Sequence, residues 1–318
     1  MPVSVKPQLS QFALDVAEGL SLKQKKLSPQ YFYDDLGAAL FEAITLLPEY
    51  GLTRADERLI GRHAWQIVRE TGAVQTIAEL GSGTGKKTRR ILEASAKLFS
   101  PVIYWPIDVS SAALSACERE LSGLARVQTI CGDWMEGLAT AARLRAPDTP
   151  LLLLFLGSSI GNLDREHLVS FLRELRSHLR PGDFFLLGAD LVKDIDTMLA
   201  AYDDATGVTA AFNLNVLGRM NRELAANFDL TSFAHEVRWN TDLRRIEMHL
   251  RSHRDQSVCI EALETVFKFR AGETIWTESS HKFTEAELIS CAHSSGFSPM
   301  HIWIDQEWPF AEALWRAV

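Results

Sequence analysis

Thr76-Ile77-Ala78-Glu79-Leu80-Gly81-Ser82-Gly83-Thr84-Gly85-Lys86-Lys87-Thr88 is the stretch whose reading decides the fold. The short apolar run Ile77 to Leu80 reads as a buried strand, and Lys87 to Phe99 has the spacing of a helix. Between them Gly81, Gly83 and Gly85 alternate with other residues and mark a turn. Glycine is needed where the backbone takes positive φ or lets a ligand come close. A strand passing through such a turn into a helix N-terminus sets peptide N–H groups around an anionic or polar ligand.

Ligand classes that use this layout are separated by their residues. A phosphate-cradling P-loop needs G-x-x-x-x-G-K-[ST]. Counting back from Gly85-Lys86, the first glycine position holds Leu80, and Lys87 stands where Ser or Thr must bind magnesium. A dinucleotide fingerprint needs G-x-G-x-x-G; Gly81 and Gly83 fit, but the third position is Lys86. Both readings fail. The run Glu79 to Gly85 resembles the first motif of the Rossmann-like S-adenosylmethionine (SAM) methyltransferases. A tight turn that binds nothing stays open beside it.

The 318 residues can hold one large or two ordinary domains. A chain 47% hydrophobic and 23% charged is close to the globular average, which argues against wholesale disorder. Net charge is −8, and the densest basic cluster, Lys23-Gln24-Lys25-Lys26, is short; a nucleic-acid substrate would call for a basic surface. Small substrates fit better. Cys117, Cys131, Cys259 and Cys291 are widely spaced, so neither metal-ligand spacing nor a disulfide framework is expected, and reduced thiols in a cytoplasmic protein are. His249 and His253 lack the H-E-x-x-H context of a zinc site. The N-terminus has no signal-peptide pattern, and Leu151 to Ile160 is too short to span a bilayer.

In chain order, a loose leader precedes an amphipathic helix, Ser10 to Leu20, and a further helix is expected from Ala38 to Thr45. Pro48 and Gly51 bracket Tyr50 and put it on a turn; helical spacing resumes from Ala55 to Glu70. After the glycine turn, Val102 to Ile107 is a strand ending in Asp108, placed to accept both ribose hydroxyls of a nucleoside. Ser110 to Leu121 is a helix, and Val127 to Ile130 a third strand leading to Asp133-Trp134, an acid that could bond an adenine amine and an aromatic to cover its ring. Each aspartate taken alone is equally a loop or cap residue.

The most apolar run, Leu151 to Leu156, is expected to be the central strand, buried on both faces. Ligand chemistry sits beyond the carboxyl ends of such strands, which puts Asn162 where a transferred group could be received. Its alternative, a helix cap, is better filled by Asp164. Phe184 to Ala189 is a fifth strand, ending at Asp190, and Val192 to Arg222 is helical. Alternation with period two at His235 to Trp239, Arg245 to Leu250 and Thr265 to Phe269 then signals antiparallel strands. A helix from Phe283 to Ser294, a strand from Phe297 to Ile304 and a reversed edge strand from Phe310 complete the pattern. The fold expected is α/β: a Rossmann-like methyltransferase sheet with an inserted α+β substrate-binding domain. Residues 55–195 and 282–318 would form the SAM-binding domain, and 8–54 and 196–281 the other.

Longer runs carry a closer resemblance: Phe32-Tyr33-Asp34, Leu47-Pro48-Glu49-Tyr50, Phe155-Leu156-Gly157-Ser158, Ile160-Gly161-Asn162-Leu163, Asp190-Leu191-Val192-Lys193-Asp194, Ala201-Tyr202-Asp203-Asp204, Ile246-Glu247-Met248 and Thr277-Glu278-Ser279-Ser280-His281-Lys282-Phe283. From about residue 28 to the C-terminus the chain resembles the L-histidine Nα-methyltransferases of ergothioneine biosynthesis. The resemblance implies three methyl transfers from SAM to the α-amine of histidine, giving hercynine and S-adenosylhomocysteine. It places Gly81, Lys87, Asp108, Asp133 and Trp134 on cofactor positions. It places Tyr33, Tyr50, Asn162, Tyr202, Thr209, Met248, Glu278 and Ser280 on histidine-binding positions, with Tyr33 and Asn162 expected to hold the reacting amine.

A carboxylate and a hydroxyl can grip the two imidazole nitrogens, as Glu278 and Ser280 would. No metal or covalent nucleophile is needed, because the sulfonium methyl is already an excellent electrophile. A monomer acting on a small molecule is expected, with no nucleic acid or membrane partner. Gly51, Ser159 and Leu214 depart from residues frequent in the family and bear on pocket shape. The competing readings are a relative that prefers tryptophan, which Glu278 and Met248 argue against, and a SAM-binding scaffold without turnover.

Overall fold

The computed structural model describes residues 9–72, 74–98 and 101–318. The expected leader and the Phe99 end of the helix after the glycine turn lie outside the described residues. The chain divides into two compact units, one of residues 1–50, 195–241 and 245–279, the other of 51–194, 242–244 and 280–318.

The first unit begins with α1 (Gln11–Ser21), β1 (Lys25–Lys26), a 3-10 turn (Pro29–Phe32) and α2 (Asp35–Thr45). α2 starts three residues before Ala38 because Asp34 caps it, Oδ1 accepting from the Gly37 N–H at 2.8 Å. The second unit then runs α3 (Gly51–Glu70), β2 (Thr76–Leu80), α4 (Arg89–Leu98), β3 (Ile103–Asp108), α5 (Ser111–Leu121), β4 (Arg126–Val127), β5 (Ile130–Cys131), α6 (Trp134–Leu144), β6 (Leu151–Phe155), α7 (Arg165–Ser177) and β7 (Phe184–Asp190). The chain returns to the first unit with α8 (Ile195–Tyr202), α9 (Val208–Leu224), β8 (Phe233–Asn240), β9 (Arg245–Ser252), β10 (Gln256–Ile260), β11 (Thr265–Phe269) and β12 (Thr274–His281), whose last two residues, Ser280 and His281, already belong to the second unit. It finishes in the second with α10 (Glu285–Ser294), β13 (Phe297–Ile304) and β14 (Phe310–Ala317).

In the second unit an eight-stranded sheet has the order β13-β14-β7-β6-β2-β3-β4, with β5 also on β3. β7, β6, β2 and β3 are mutually parallel. The run Leu151 to Phe155 is central and wholly buried, as its composition implies. Leu151, Leu153 and Phe155 join one core, while Leu152 and Leu154 join the core on the opposite face. This is the Rossmann-like α/β sheet expected from the sequence.

Departures from the sequence reading have local causes. The third strand is not continuous: β4 and β5 are two-residue pieces separated by exposed Gln128 and Thr129, which supply no apolar face to keep the edge in register. β14 is reversed as expected but is not the edge. It pairs with β7 on one side and β13 on the other, and its nearly unbroken burial is the signature of an interior strand. α3 begins at Gly51, not Ala55, and a Cβ there would lie 2.2 Å from Trp308 Cε3. The indole of Trp308 therefore occupies the space beside Gly51.

In the first unit β1, β12, β9 and β8 form one sheet in that order, and β10 and β11 form a hairpin. β8–β9 and β10–β11 are antiparallel, as the period-two runs predict.

Candidate active site

The glycine turn takes the conformation that only glycine adopts cheaply: φ is +65° at Gly81, +52° at Gly83 and +71° at Gly85. The Gly81 and Ser82 N–H groups donate to Ile107 O at 2.8 and 3.2 Å, stitching the turn to β3. The Gly83 N–H donates to Asp108 Oδ2, and the Ser110 N–H to Asp108 Oδ1, each at 2.9 Å. A carboxylate offers about four acceptor positions, so the ribose-binding reading of Asp108 survives these bonds. A Cβ on Gly81 would lie 3.5 Å from Trp134 Nε1, so the indole borders the turn. Trp134 is held edge-on to Phe155, with ring centroids 4.8 Å apart.

Asp133 caps α6: its Oδ1 accepts from the Met135 and Glu136 N–H groups, each at 2.9 Å. The cap and ligand readings are compatible, because Oδ2 takes no part in those bonds. Ser82 Oγ is buried in the turn without a hydrogen-bond partner among the described residues. An acidic strand tip, an indole beside a positive-φ glycine and an orphaned hydroxyl fit a nucleoside-bearing cofactor such as SAM.

Lys87 is engaged differently from Gly81 and Asp108. Its Nζ lies 2.5 Å from Asp56 Oδ2, an atom that also accepts from the Gly157 N–H at 2.9 Å. Burial alone would depress the lysine, but the Asp56 charge and hydrogen bond, with Glu79 and Glu312 behind them, raise its pKa. The ammonium thus stays charged at the carboxyl end of β6, beside Gly157.

Asn162 ends a 3-10 turn, Ser159–Asn162, that follows β6 through Ser158 at φ 61°. A Cβ on the neighbouring Gly161 would lie 2.9 Å from His281 O, so this turn presses on the end of β12 beside Ser280. Ser280 is buried, and its Oγ accepts from Lys282 Nζ at 2.9 Å.

Within the first unit three expected tyrosines meet through rings. Tyr33 packs edge-on against Phe41 (5.6 Å), Phe41 against Tyr50 (6.5 Å) and Tyr50 against Tyr202 (6.1 Å). Thr209 is tied to the segment after Tyr202, since its N–H donates to Asp204 Oδ1 at 2.7 Å. Asp204 also accepts from Thr206 Oγ1 and the Val208 N–H, and these bonds outweigh burial and lower its pKa. Met248 is buried on β9, and its carbonyl accepts from Thr277 Oγ1 at 3.0 Å. Glu278 and Ser280 stand two apart on β12, so their side chains leave the strand on one side.

A family model for histidine-specific, SAM-dependent methyltransferases matches residues 12–317. The chain belongs to that family. It is 42% identical over 304 residues to the histidine N-alpha-methyltransferase of Mycolicibacterium smegmatis, covering 94% of this chain and 93% of that protein. The protein of the same name from Mycobacterium tuberculosis is 41% identical over the same shares. Ergothioneine biosynthesis protein 1 of Schizosaccharomyces pombe is 29% identical over 87% of this chain, but only 37% of that longer protein is matched. The enzyme is therefore a SAM-dependent methyltransferase, as the glycine turn implied.

Sequence reasoning missed several buried charges of this methyltransferase. Asp56 on α3 and Glu312 on β14 are fully buried beside Lys87. Burial and then the Asp56 charge push the Glu312 pKa far up, which favours its neutral form. Glu79, in the middle of β2, is pushed up to about 7 by burial, against hydrogen bonds from Thr88 Oγ1 and the Tyr104 hydroxyl. The available signal was an acid interrupting an otherwise apolar strand, as at Ala78-Glu79-Leu80 and Ala311-Glu312-Ala313.

Proposed function

We propose that this enzyme transfers methyl groups from SAM to the α-amine of L-histidine, three times in succession, giving hercynine for ergothioneine biosynthesis. The observation that carries the reading is 42% identity across nearly the whole chain to a protein named histidine N-alpha-methyltransferase. Bound SAM supplies an electrophilic methyl on its sulfonium. Gly81, Asp108, Asp133 and Trp134 hold its nucleoside end, and Lys87 serves its anionic end.

Glu278 and Ser280 grip the imidazole, and Met248 lies against its ring. Tyr33 and Asn162 hold the amine, while Tyr50, Tyr202 and Thr209 orient the amino-acid end. Methyl transfer needs the neutral amine's lone pair in line with the methyl, so positioning supplies much of the rate. The amine gains a methyl at each round, so some hydrogen bonds of Tyr33 and Asn162 give way to contacts with methyl groups. The protein works as a cytoplasmic monomer on a small molecule. Among the described residues no helix is long and apolar enough to cross a membrane.

The test is mass spectrometry of products formed from SAM with L-histidine, and with L-tryptophan in parallel. Mono-, di- and trimethylhistidine in succession is the expected outcome. Methylation of tryptophan alone would leave the cofactor reading standing and overturn the role of Glu278.

A further inference from the structure

Glu312 lies within β14 and has none of its surface exposed. It stands opposite Gly188 of β7. A Cβ on that glycine would lie 3.0 Å from Glu312 Oε1 and 3.2 Å from Gly157 N, so the acid lies over a residue with no side chain, near the carboxyl end of β6. Leu314, two residues further along β14, and Ile60, four residues beyond Asp56 on α3, belong to one core. Glu312 and Asp56 thus enter the same layer, and they meet there as hydrogen-bond partners.

The two oxygens of Asp56 are used differently. Oδ2 takes Lys87 Nζ at 2.5 Å and the Gly157 N–H at 2.9 Å. Oδ1 accepts from nothing among the described residues, and the same is true of both Glu312 oxygens. Two ionised carboxylates only accept, so they cannot bond to each other. Like charges that share a buried site also resist ionising together. A single proton on Glu312 gives Asp56 Oδ1 its donor.

The charges lead to the same state. Lys87 is faced by Asp56, Glu79 and Glu312. Three ionised acids against one ammonium would leave a buried surplus of negative charge. Glu79 is bound by Thr88 Oγ1 and the Tyr104 hydroxyl, and burial pushes it up to about 7. Burial and Asp56 push Glu312 up as well. With both acids protonated, Lys87 faces one anion. Of the four side chains Lys87 alone reaches the surface, with 24% of its side chain exposed. Asp56 is its hydrogen-bond partner, and an ammonium has three N–H groups, so two remain to offer a ligand.

We propose that Glu312 is a positioning residue for the cofactor: its protonated carboxyl donates to Asp56 Oδ1 and so holds Oδ2 on Lys87, whose remaining N–H groups meet the anionic end of SAM. The inference rests on the proposed contact between Lys87 and that end.

The test compares calorimetric binding of S-adenosylhomocysteine and 5′-methylthioadenosine at one pH. Both carry the nucleoside and thioether, and only the first carries the carboxylate, so the ratio of their affinities reads the Lys87 end. Lys87→Met should weaken S-adenosylhomocysteine roughly tenfold and methylthioadenosine by less than about twofold. Glu312→Leu fills the space but cannot donate, and it should lower the ratio in the same way. Glu312→Gln, whose amide still donates, should restore the ratio to within about twofold of wild type. A side chain that only filled space would let Leu serve as well as Gln.

If Lys87→Met leaves the ratio unchanged, the reading of Lys87 itself fails and takes the inference with it. If Lys87→Met lowers the ratio and Glu312→Leu does not, the Glu312 inference alone is overturned. It is overturned equally if Glu312→Gln lowers the ratio as far as Glu312→Leu. Should Glu312→Leu bind neither ligand, the infrared spectrum of the wild-type protein decides. At about pH 8.5 ordinary carboxyls are ionised, so a remaining carboxylic-acid C=O band, lost in Glu312→Gln, is the expected result. Absence of that band from wild type overturns the proposal.

Discussion

Asp108 and Asp190 each end a parallel strand on the carboxyl edge of one sheet, β3 and β7. Asp108 stays half-buried and takes its hydrogen bonds from backbone N–H groups of two adjoining loops. Asp190 is 1% exposed and takes its side-chain bonds from Lys193, Lys282 and Trp308, which come from three separate parts of the chain. Burial by itself would raise the Asp190 pKa, but the two lysine charges hold it below the usual carboxylate range. Backbone donors leave a carboxylate with acceptor positions to offer a ligand. Buried ammoniums consume it and make it an internal support. The strand-end position is shared; the partners decide the use.

The largest test of this contrast is Asp190→Ala, which leaves the buried Lys193 and Lys282 without their anion. Breaking a buried pair by removing one partner typically costs ~3–5 kcal/mol, and urea denaturation should show a loss of that order. A loss under about 1 kcal/mol, the scale of an exposed pair, would mean that water already screens the lysines and that the two aspartates do not differ in kind.

A second test uses pH. Lys193 is depressed from 10.5 to about 8, so between those values the unfolded chain binds a proton that the folded protein does not. Stability from this group therefore rises as pH climbs from about 8 toward 10.5, and its penalty is fully present below 8. Lys193→Met removes the effect, so wild type should gain on the variant by up to ~3 kcal/mol across that window, at ~1.4 kcal/mol per unit. A constant gap between their denaturation free energies at each pH would refute it.

Asp108→Ala should act on affinity instead. Losing charge-assisted bonds to a ligand costs ~1.5–3 kcal/mol, so calorimetry should find SAM binding weakened roughly 10- to 100-fold, with stability altered by less than about 1 kcal/mol. An equal or larger loss of stability than of affinity would place Asp108 with Asp190 as a support.

The candidate cofactor turn was legible because its features are close in sequence. Gly81, Gly83 and Gly85 all have positive φ, and the acids at the ends of β3 and before α6 follow within about fifty residues. The apolar run at Leu151 identified the central strand for the same reason, since burial on both faces leaves no polar alternation. Apart from Asn162, read from the end of the central strand, the residues proposed to bind histidine were legible only through family resemblance, because Tyr33, Tyr202 and Glu278 lie on a turn, a helix end and a strand that no local pattern links. Asp56, Glu312 and Lys282 were not read as site residues at all. Glu312 alone carries a local signal, an acid between apolar neighbours, and the meaning of all three lies in a partner far along the chain.

Short-range steric and periodic rules, acting over a few residues, were enough to determine the strand–glycine turn–helix and the central strand, while the class of cofactor came from the resemblance of Glu79 to Gly85 to a methyltransferase motif. Only the tertiary structure decided that β14 is interior, that the Trp308 indole fills the space beside Gly51, and that Lys282 meets both Ser280 and Asp190. The physical reason is that desolvation and ion pairing depend on what surrounds a charge in space, and the segments that surround these charges are up to about 260 residues apart, as Asp56 and Glu312 are.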